Sequence, residues 1–233
     1  MNKQAKKETS LTEAVYRQLR MDVVMCRLQP GTQLKTAELA QRSGVSLASV
    51  REALARLTSE GLVEAEPQRG FRAAPISAER LQDLTAVRID IENMCLRQSV
   101  VRFDQLDDIR LDEAMNAILA TATTSAKAGS HVITEEWSRA HGEFHEALVA
   151  ACPSQVLLNI RRQLYAQSER YRCLSVPLGK GKRDIERDHR PLVNAVKARD
   201  ADLACKLLSE HIRQTTQILL SARIDGKAAV PRD

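Results

Sequence analysis

No run of apolar residues in this 233-residue chain is long enough to cross a bilayer. The basic start MNKQAKKETS is followed by a stretch broken by charges, which is no signal-peptide core. Cysteine is sparse: Cys26, Cys95, Cys152, Cys173 and Cys205 are scattered, odd in number and without a CxxC pair. That pattern argues against a thiolate zinc site and fits reduced, mostly buried thiols in a cytoplasmic protein. Aromatic residues make only 3% of the chain, against 43% hydrophobic and 28% charged, with Ala, Leu, Arg and Glu abundant. This is the balance of a soluble helical protein.

What is present is unevenly distributed. Net charge is +5, and residues 1 to 75 hold 12 basic side chains against 8 acidic ones, whereas the rest of the chain is nearly balanced. A basic N-terminal third points to an anionic polymer as partner. The length allows a small domain joined to a medium one.

Ser10 and Glu13 stand at capping-box spacing, and Leu11, Val15, Leu19, Val23 and Cys26 then recur at helical period, predicting a helix over 11–27. Pro30-Gly31 ends it. A short helix from Thr36 stops at Ser43-Gly44, and Ser46 caps a third, with Leu47, Val50, Leu54 and Leu57 as one apolar stripe. Two helices about a tight glycine turn make a helix-turn-helix, whose second member lies in a major groove. After Gly61, LVEAE, a Pro-Gln-Arg-Gly turn and FRAA predict a β-hairpin wing. Ser46, Ser49 and Arg51 sit near the start of the third helix, where base edges and phosphates are reached, and Arg69 sits at the hairpin tip.

The string LQPGTQLKTAELAQRSGVSLASVREALARLTSEGLVEAEPQRGFRAAPIS resembles the N-terminal domain of GntR-family bacterial transcription regulators over residues 11 to 75. The resemblance implies operator contacts by Ser46, Arg51, Arg69 and Gly70. Two departures stand out: Leu47 replaces a usual arginine and Ser49 a usual proline. An arginine lost from the reading helix removes a guanine contact, so operator sequence does not carry over.

Beyond the connector Pro75-Ile76-Ser77 the pattern predicts helices only, over about 78–101, 104–124, 132–151, 155–174, 188–199 and 201–224. The breaks fall at TSAKAGS, Cys152-Pro153-Ser154 and VPLGKGK. The expected fold class is all-α with a small β wing: an N-terminal winged helix-turn-helix over 1–75 and a C-terminal antiparallel helical bundle over 76–233. Pro191 is tolerated only in a first turn, so its helix is expected to start near Asp188 or to kink beside His189.

In WSRAHGEFHEALVAAC, residues 137 to 152, the apolar stripe carries His141 and His145. His189 shares a face with Leu192, Val193 and Val196, and His211 lies on the stripe of Ala204, Leu207 and Ile218. A single inward histidine is usually a satisfied core residue. Four on three helices are costly to bury unless something binds them. A divalent transition metal meets that need, because imidazole suits zinc, nickel or iron. Arg88 also faces inward, with Glu92 four residues on. It serves either as that carboxylate's ion-pair partner or as a clamp for a carboxylate ligand beside the metal. Arg172 in SERYRCL is a second candidate of the same kind.

HGEFHEAL, DHRPLVNAVKARDADLACKLLSEHI and VRIDIE resemble the FCD ligand-sensing domain of the FadR subgroup, over roughly residues 78 to 220. The resemblance implies a metal held at His141, His145, His189 and His211, with His141 where an aspartate is usual. A neutral ligand in that place favours zinc or nickel and makes a carboxylate effector more welcome. The stretch 137–172 is most similar to CsiR-type regulators, which implies a small dicarboxylate such as glutarate. The expected function is therefore a homodimeric, effector-controlled repressor of double-stranded operator DNA, not an enzyme. Three alternatives remain: a metal-dependent hydrolase with Glu143 or Glu146 as base, a thiol-redox sensor using Cys152 or Cys173, and a fatty-acyl binder.

Overall fold

The computed structural model describes residues 3–127, 130–175 and 184–221. The chain divides into two compact units, Met1–Ser77 and Ala78–Asp233.

In the first unit, helix α1 spans Lys3–Val24, starting earlier than the Ser10 capping box suggested. The residues ahead of Ser10 are themselves good helix formers, so propensity carries the helix past an internal cap. The chain leaves α1 at Cys26, in the left-handed region at φ 55°. Strand β1 (Gln33–Leu34), helix α2 (Thr36–Ser43) and helix α3 (Leu47–Ser59) follow. Gly44, at φ 64° and ψ 31°, closes α2 in a conformation glycine adopts without strain. Two residues on, Ser46 caps α3 by accepting the Ser49 amide at 3.1 Å. Buried Val50, Ala53, Leu54 and Leu57 form the inner face of α3, below Val15, Leu19 and Val23 of α1.

Leu47 does not join that stripe. It is 48% exposed, because the first turn of α3 projects past the core. Strands β2 (Val63–Glu66) and β3 (Gly70–Ala73) form the expected hairpin, and β1 adds a third strand on β3, in register Gln33↔Arg72 and Leu34↔Phe71. A two-residue strand carries no periodicity, which is why the pattern missed it.

The second unit holds α4 (Ala78–Val100), α5 (Gln105–Ala120), α6 (Glu135–Ala147), α7 (Gln155–Ser175), α8 (Ile185–Lys197) and α9 (Ala201–Ser221). Their core includes Leu96, Val100, Leu111, Met115, Phe144, Leu148, Leu192, Val196 and Leu208. The expectation of helices alone needs correction. Thr124–Lys127 (β4) and Ser130–Ile133 (β5) pair antiparallel, with Thr124 opposite Ile133 and Lys127 opposite Ser130. Neither Thr-Ser-Ala-Lys nor Ser-His-Val-Ile alternates apolar and polar residues, so the pattern gives no strand signal.

Helix α8 also starts earlier than expected. Asp184 caps it through the Arg187 amide at 3.0 Å, and Pro191 sits inside the helix, where its exposed ring forgoes one backbone hydrogen bond. The VPLGKGK break and the chain after Ser221 lie outside the described residues. Among those described, no helix is long and apolar enough to cross a membrane.

Candidate metal centre and nucleic-acid interface

Helix α6 carries His141 and His145 one turn apart, α8 brings His189 and α9 brings His211. One donor nitrogen from each ring lies within 4.8 Å of all the others. Ring centroids are 4.6 Å apart for His141 and His145 and 4.6 Å for His189 and His211. His141, His145 and His189 are buried, and only His211 keeps partial exposure over the residue as a whole.

Each ring is oriented by its surroundings. His141 stacks on Trp137 at 4.7 Å, and its Nδ1 meets the Tyr165 hydroxyl at 3.1 Å, so its Nε2 faces the cluster. His189 donates from Nδ1 to the Ile185 carbonyl at 2.7 Å, which leaves its lone pair on Nε2. The Nε2 atoms of His141 and His145 face each other at 3.3 Å, and His145 Nδ1 has no hydrogen-bond partner among the described residues.

Burial pushes His141 well below the usual imidazole range, with the Arg172 charge adding to the effect. Burial and then His211 do the same to His145. Both rings are therefore neutral at pH 7 and available as ligands. Imidazole binds zinc-like ions at about 2.0–2.1 Å, which puts neighbouring ligand nitrogens roughly 3 to 3.5 Å apart. The 3.3 Å contact falls in that range. A buried imidazole whose only ring-nitrogen contact is another imidazole is poorly satisfied by protein alone. The four-nitrogen set thus fits a transition ion.

Two arginines flank the rings. Arg88 is buried, donating to Glu92 at 3.3 Å and to Ser168 Oγ at 2.5 Å, and its guanidinium stands 4.9 Å over the Tyr165 ring. Arg172 forms a forked pair with Glu169, reaches Ser138 Oγ at 3.2 Å, and lies 4.5 Å over the Trp137 ring. The ion pair Arg88–Glu92 is present, and Arg88 also adjoins the histidines, contributing to the shift of His145.

Sequence reasoning passed over three further residues, Arg161, Tyr165 and Glu169. Arg161 has no exposed side-chain surface and ties three helices together, donating to Glu92 at 2.7 Å, to Glu146 at 2.5 Å and to the His145 carbonyl at 2.6 Å. Tyr165, Glu169 and Trp137 complete the surround. The signal was present in α7, where Leu158, Arg161, Tyr165, Glu169 and Arg172 recur at helical spacing. Burial, followed by Glu169, holds the Tyr165 phenol protonated well above its ordinary range.

Neither proposed catalytic base is placed for water activation. Glu143 is exposed, and the Glu146 carboxylate is taken up by Arg161 and Arg162.

In the first unit, Ser46 and Ser49 are adjacent, with hydroxyls 3.0 Å apart, and both serve the cap of α3. Arg51 is exposed on the same helix, while Arg69 and Gly70 stand exposed at the β2–β3 turn. Gly70, at φ 85°, takes a conformation that strains any other residue. The charges separate these arginines from their neighbours. Arg17, Arg20, Arg27, Lys35, Arg42, Arg56 and Arg72 are all ion-paired within the unit. Arg51 and Arg69 form no ion pair within 4 Å among the described residues, although the Arg69 charge, after Arg72, helps hold the Glu66 carboxyl below its ordinary range. Two cations without ion-pair partners, one on the reading helix and one on the wing, suit phosphate or base contact.

Comparison with known proteins gives the family of each unit. Residues 11–72 match the family described as bacterial regulatory proteins, gntR family, and residues 83–214 match the FCD domain. The chain is 35% identical over 210 residues to the uncharacterized HTH-type transcriptional regulator BphR of Paraburkholderia xenovorans strain LB400, covering 90% of this chain and 85% of that one. It is 31% identical to the HTH-type transcriptional repressor GlaR of Escherichia coli K12, covering 89% and 94%. The solved structure of E. coli McbR/YncC shares the fold, with a TM-score of 0.75 at 24% identity over 91% of this chain and 97% of that one. The protein is therefore a member of the GntR family of bacterial transcription regulators, of the FadR-like kind with an FCD domain, and acts by binding DNA rather than as an enzyme.

Proposed function

We propose that the protein is a cytoplasmic, homodimeric repressor released from operator DNA by a small carboxylate that binds beside a metal ion in the helical unit. The observation that carries this reading is the buried cluster of His141, His145, His189 and His211, flanked by the guanidinium groups of Arg88 and Arg172. The four rings would hold zinc or nickel, and the bound ion would supply a positive Lewis-acid site for a carboxylate oxygen.

The chain's own residues do the rest. Arg88 and Arg172, held by Glu92 and Glu169, bring positive charge beside the cluster, which suits an effector with acidic ends, such as a short dicarboxylate. Tyr165, a protonated phenol, steers the His141 ring. Arg161 links the backbone carbonyl of His145 to α4 through Glu92, so a change at the rings is felt across three helices. An effector that binds one arrangement of these helices better than another shifts the population towards it, and two winged helices then no longer match their half-site spacing. Recognition of a two-fold DNA site requires two copies. The exposed apolar residues Val87 and Met94, seven apart on α4, and Val101 just beyond its end suit that contact.

Metal content of the purified chain, read beside thermal shifts with mono- and dicarboxylates, tests the proposal. The expected result is about one zinc or nickel ion per chain and a stabilising carboxylate. His145→Ala with His189→Ala should abolish both. A chain that takes up no metal after reconstitution, or a double variant that keeps its effector response, overturns the metal-assisted reading.

A further inference from the structure

Leu47 breaks the pattern of the helix that carries it. Periodicity would put it on the apolar stripe of α3, yet it stands 48% exposed while Val50, Leu54 and Leu57 are fully buried. A lone exposed leucine needs no explanation in general. This one has a position: it is the first residue of α3, and the N-terminal residues of a reading helix are those that meet base edges.

The outward face of α3 is made of Leu47, Ala48, Arg51, Glu52 and Ala55, all exposed. Leu47 and Arg51 are four residues apart and therefore neighbours along one side. Two alanines on the same face leave room for a close approach. The polar groups of the first turn are already engaged: Ser46 Oγ accepts the Ser49 amide at 3.1 Å and lies 3.0 Å from Ser49 Oγ. The longest group left to probe the groove at this end of the helix is apolar. In the major groove only one base-edge group is apolar, the 5-methyl of thymine.

We propose that Leu47 is a specificity-determining residue that packs against a thymine methyl, so that this regulator reads a T·A pair at that point in each half-site. The inference rests on α3 being the helix that enters the groove. Arg51, one turn on, supplies the charged contact beside it. Burial of one methyl group corresponds to about a fourfold change in affinity.

The test uses the full chain and a pool of random-sequence DNA duplexes to select an operator, followed by replacement of each thymine by uracil, which removes only the methyl. Titration by fluorescence anisotropy should find a thymine in each half-site whose replacement weakens wild-type binding about fourfold. Leu47→Ala should bind the unmodified operator more weakly and show no further loss on that uracil, whereas Leu47→Met should keep the uracil penalty. Because Leu47 lies outside the core, unchanged circular dichroism verifies that both variants fold. A flat uracil scan, or a penalty that survives Leu47→Ala, overturns the assignment. Arg51→Ala separates the two levels. If it weakens operator binding while the scan is flat, only the role of Leu47 falls. If it binds as wild type, or if the pool yields no enriched sequence, α3 is not the reader and the premise falls with the inference.

Discussion

In the winged-helix unit the ion pairs open to solvent on at least one side, as between Arg56 and Glu13 at 2.8 Å with side chains 43% and 41% exposed, and as where Arg42 reaches buried Asp22. The helical unit has surface pairs as well, such as Lys197 with Asp112, but it also holds pairs inside, as between Arg161 and Glu92 at 2.7 Å with 0% and 1% exposed. The same chemistry therefore has different consequences. Exposed pairs contribute roughly 0 to 1 kcal/mol and are screened by salt. Buried pairs add little net stability over apolar packing, but removing one partner strands the other charge at a cost of about 3–5 kcal/mol. The first unit neutralises most of its cations in weak pairs and leaves Arg51 and Arg69 for a partner. The second locks Arg88, Arg161 and Arg172 around the histidines, where they fix geometry.

The largest effect that could break this contrast is at Arg161. Arg161→Ala leaves Glu92 buried with only the 3.3 Å contact to Arg88 and removes the donor to the His145 carbonyl. The helical unit should lose about 3–5 kcal/mol. In a denaturant titration that loss appears as a lower midpoint with an unchanged slope. Arg56→Ala, which cuts an exposed pair, should cost less than about 1 kcal/mol. Similar losses for the two variants would erase the distinction between the units.

A second measurement sharpens the other half of the comparison. Arg51→Ala should weaken operator binding about tenfold, and Arg69→Ala should reduce the slope of log affinity against log salt by about one unit per contacted phosphate. Arg17→Ala, which removes a cation already facing Glu13 at 3.7 Å, should change neither quantity. If all three variants behave alike, the distinction between paired and unpaired cations carries no information about the interface.

The contrast also explains which parts of the molecule were legible in the sequence. The winged helix was, because capping serines, the Gly44 turn and the hairpin signal are local rules. The histidines were, because a 3.6-residue period placed four rings inward on three helices. Arg161, Tyr165 and Glu169 were passed over although α7 repeats them at the same spacing, because a charge is admitted to a core only when its partner is known. The decisive partner of Arg161, Glu92, comes from α4, 69 residues away in sequence. Leu47 failed in the opposite direction: its period is that of a core residue, but α3 begins beyond the core. The strands β4 and β5 were invisible because neither Thr-Ser-Ala-Lys nor Ser-His-Val-Ile alternates apolar and polar residues, whereas the equally short β2 and β3 flank a recognisable Pro-Gln-Arg-Gly turn.

The smallest expected effect concerns the thiols, the remaining route by which the helical unit could respond chemically. Burial, followed by the neighbouring Cys152, pushes the Cys95 thiol up to about 12 from an ordinary 9.0, and burial also raises Cys205. A thiol raised this far holds almost no thiolate at pH 7, and the thiolate is the species that reacts with alkylating agents and peroxide. Because the folded protein keeps the Cys95 proton more tightly than the unfolded chain does, its contribution to stability is complete below about pH 9 and is lost as pH rises towards about 12. Native protein at pH 7 should therefore leave Cys95 unlabelled by iodoacetamide while the unfolded chain labels fully, as mass spectrometry of the Cys95 peptide would read. Operator affinity should be unchanged after mild peroxide. Rapid labelling of Cys95 in the native state would mean that the core around the histidines opens far more readily than its buried ion pairs allow, and a peroxide-sensitive operator complex would restore the thiol-sensing alternative.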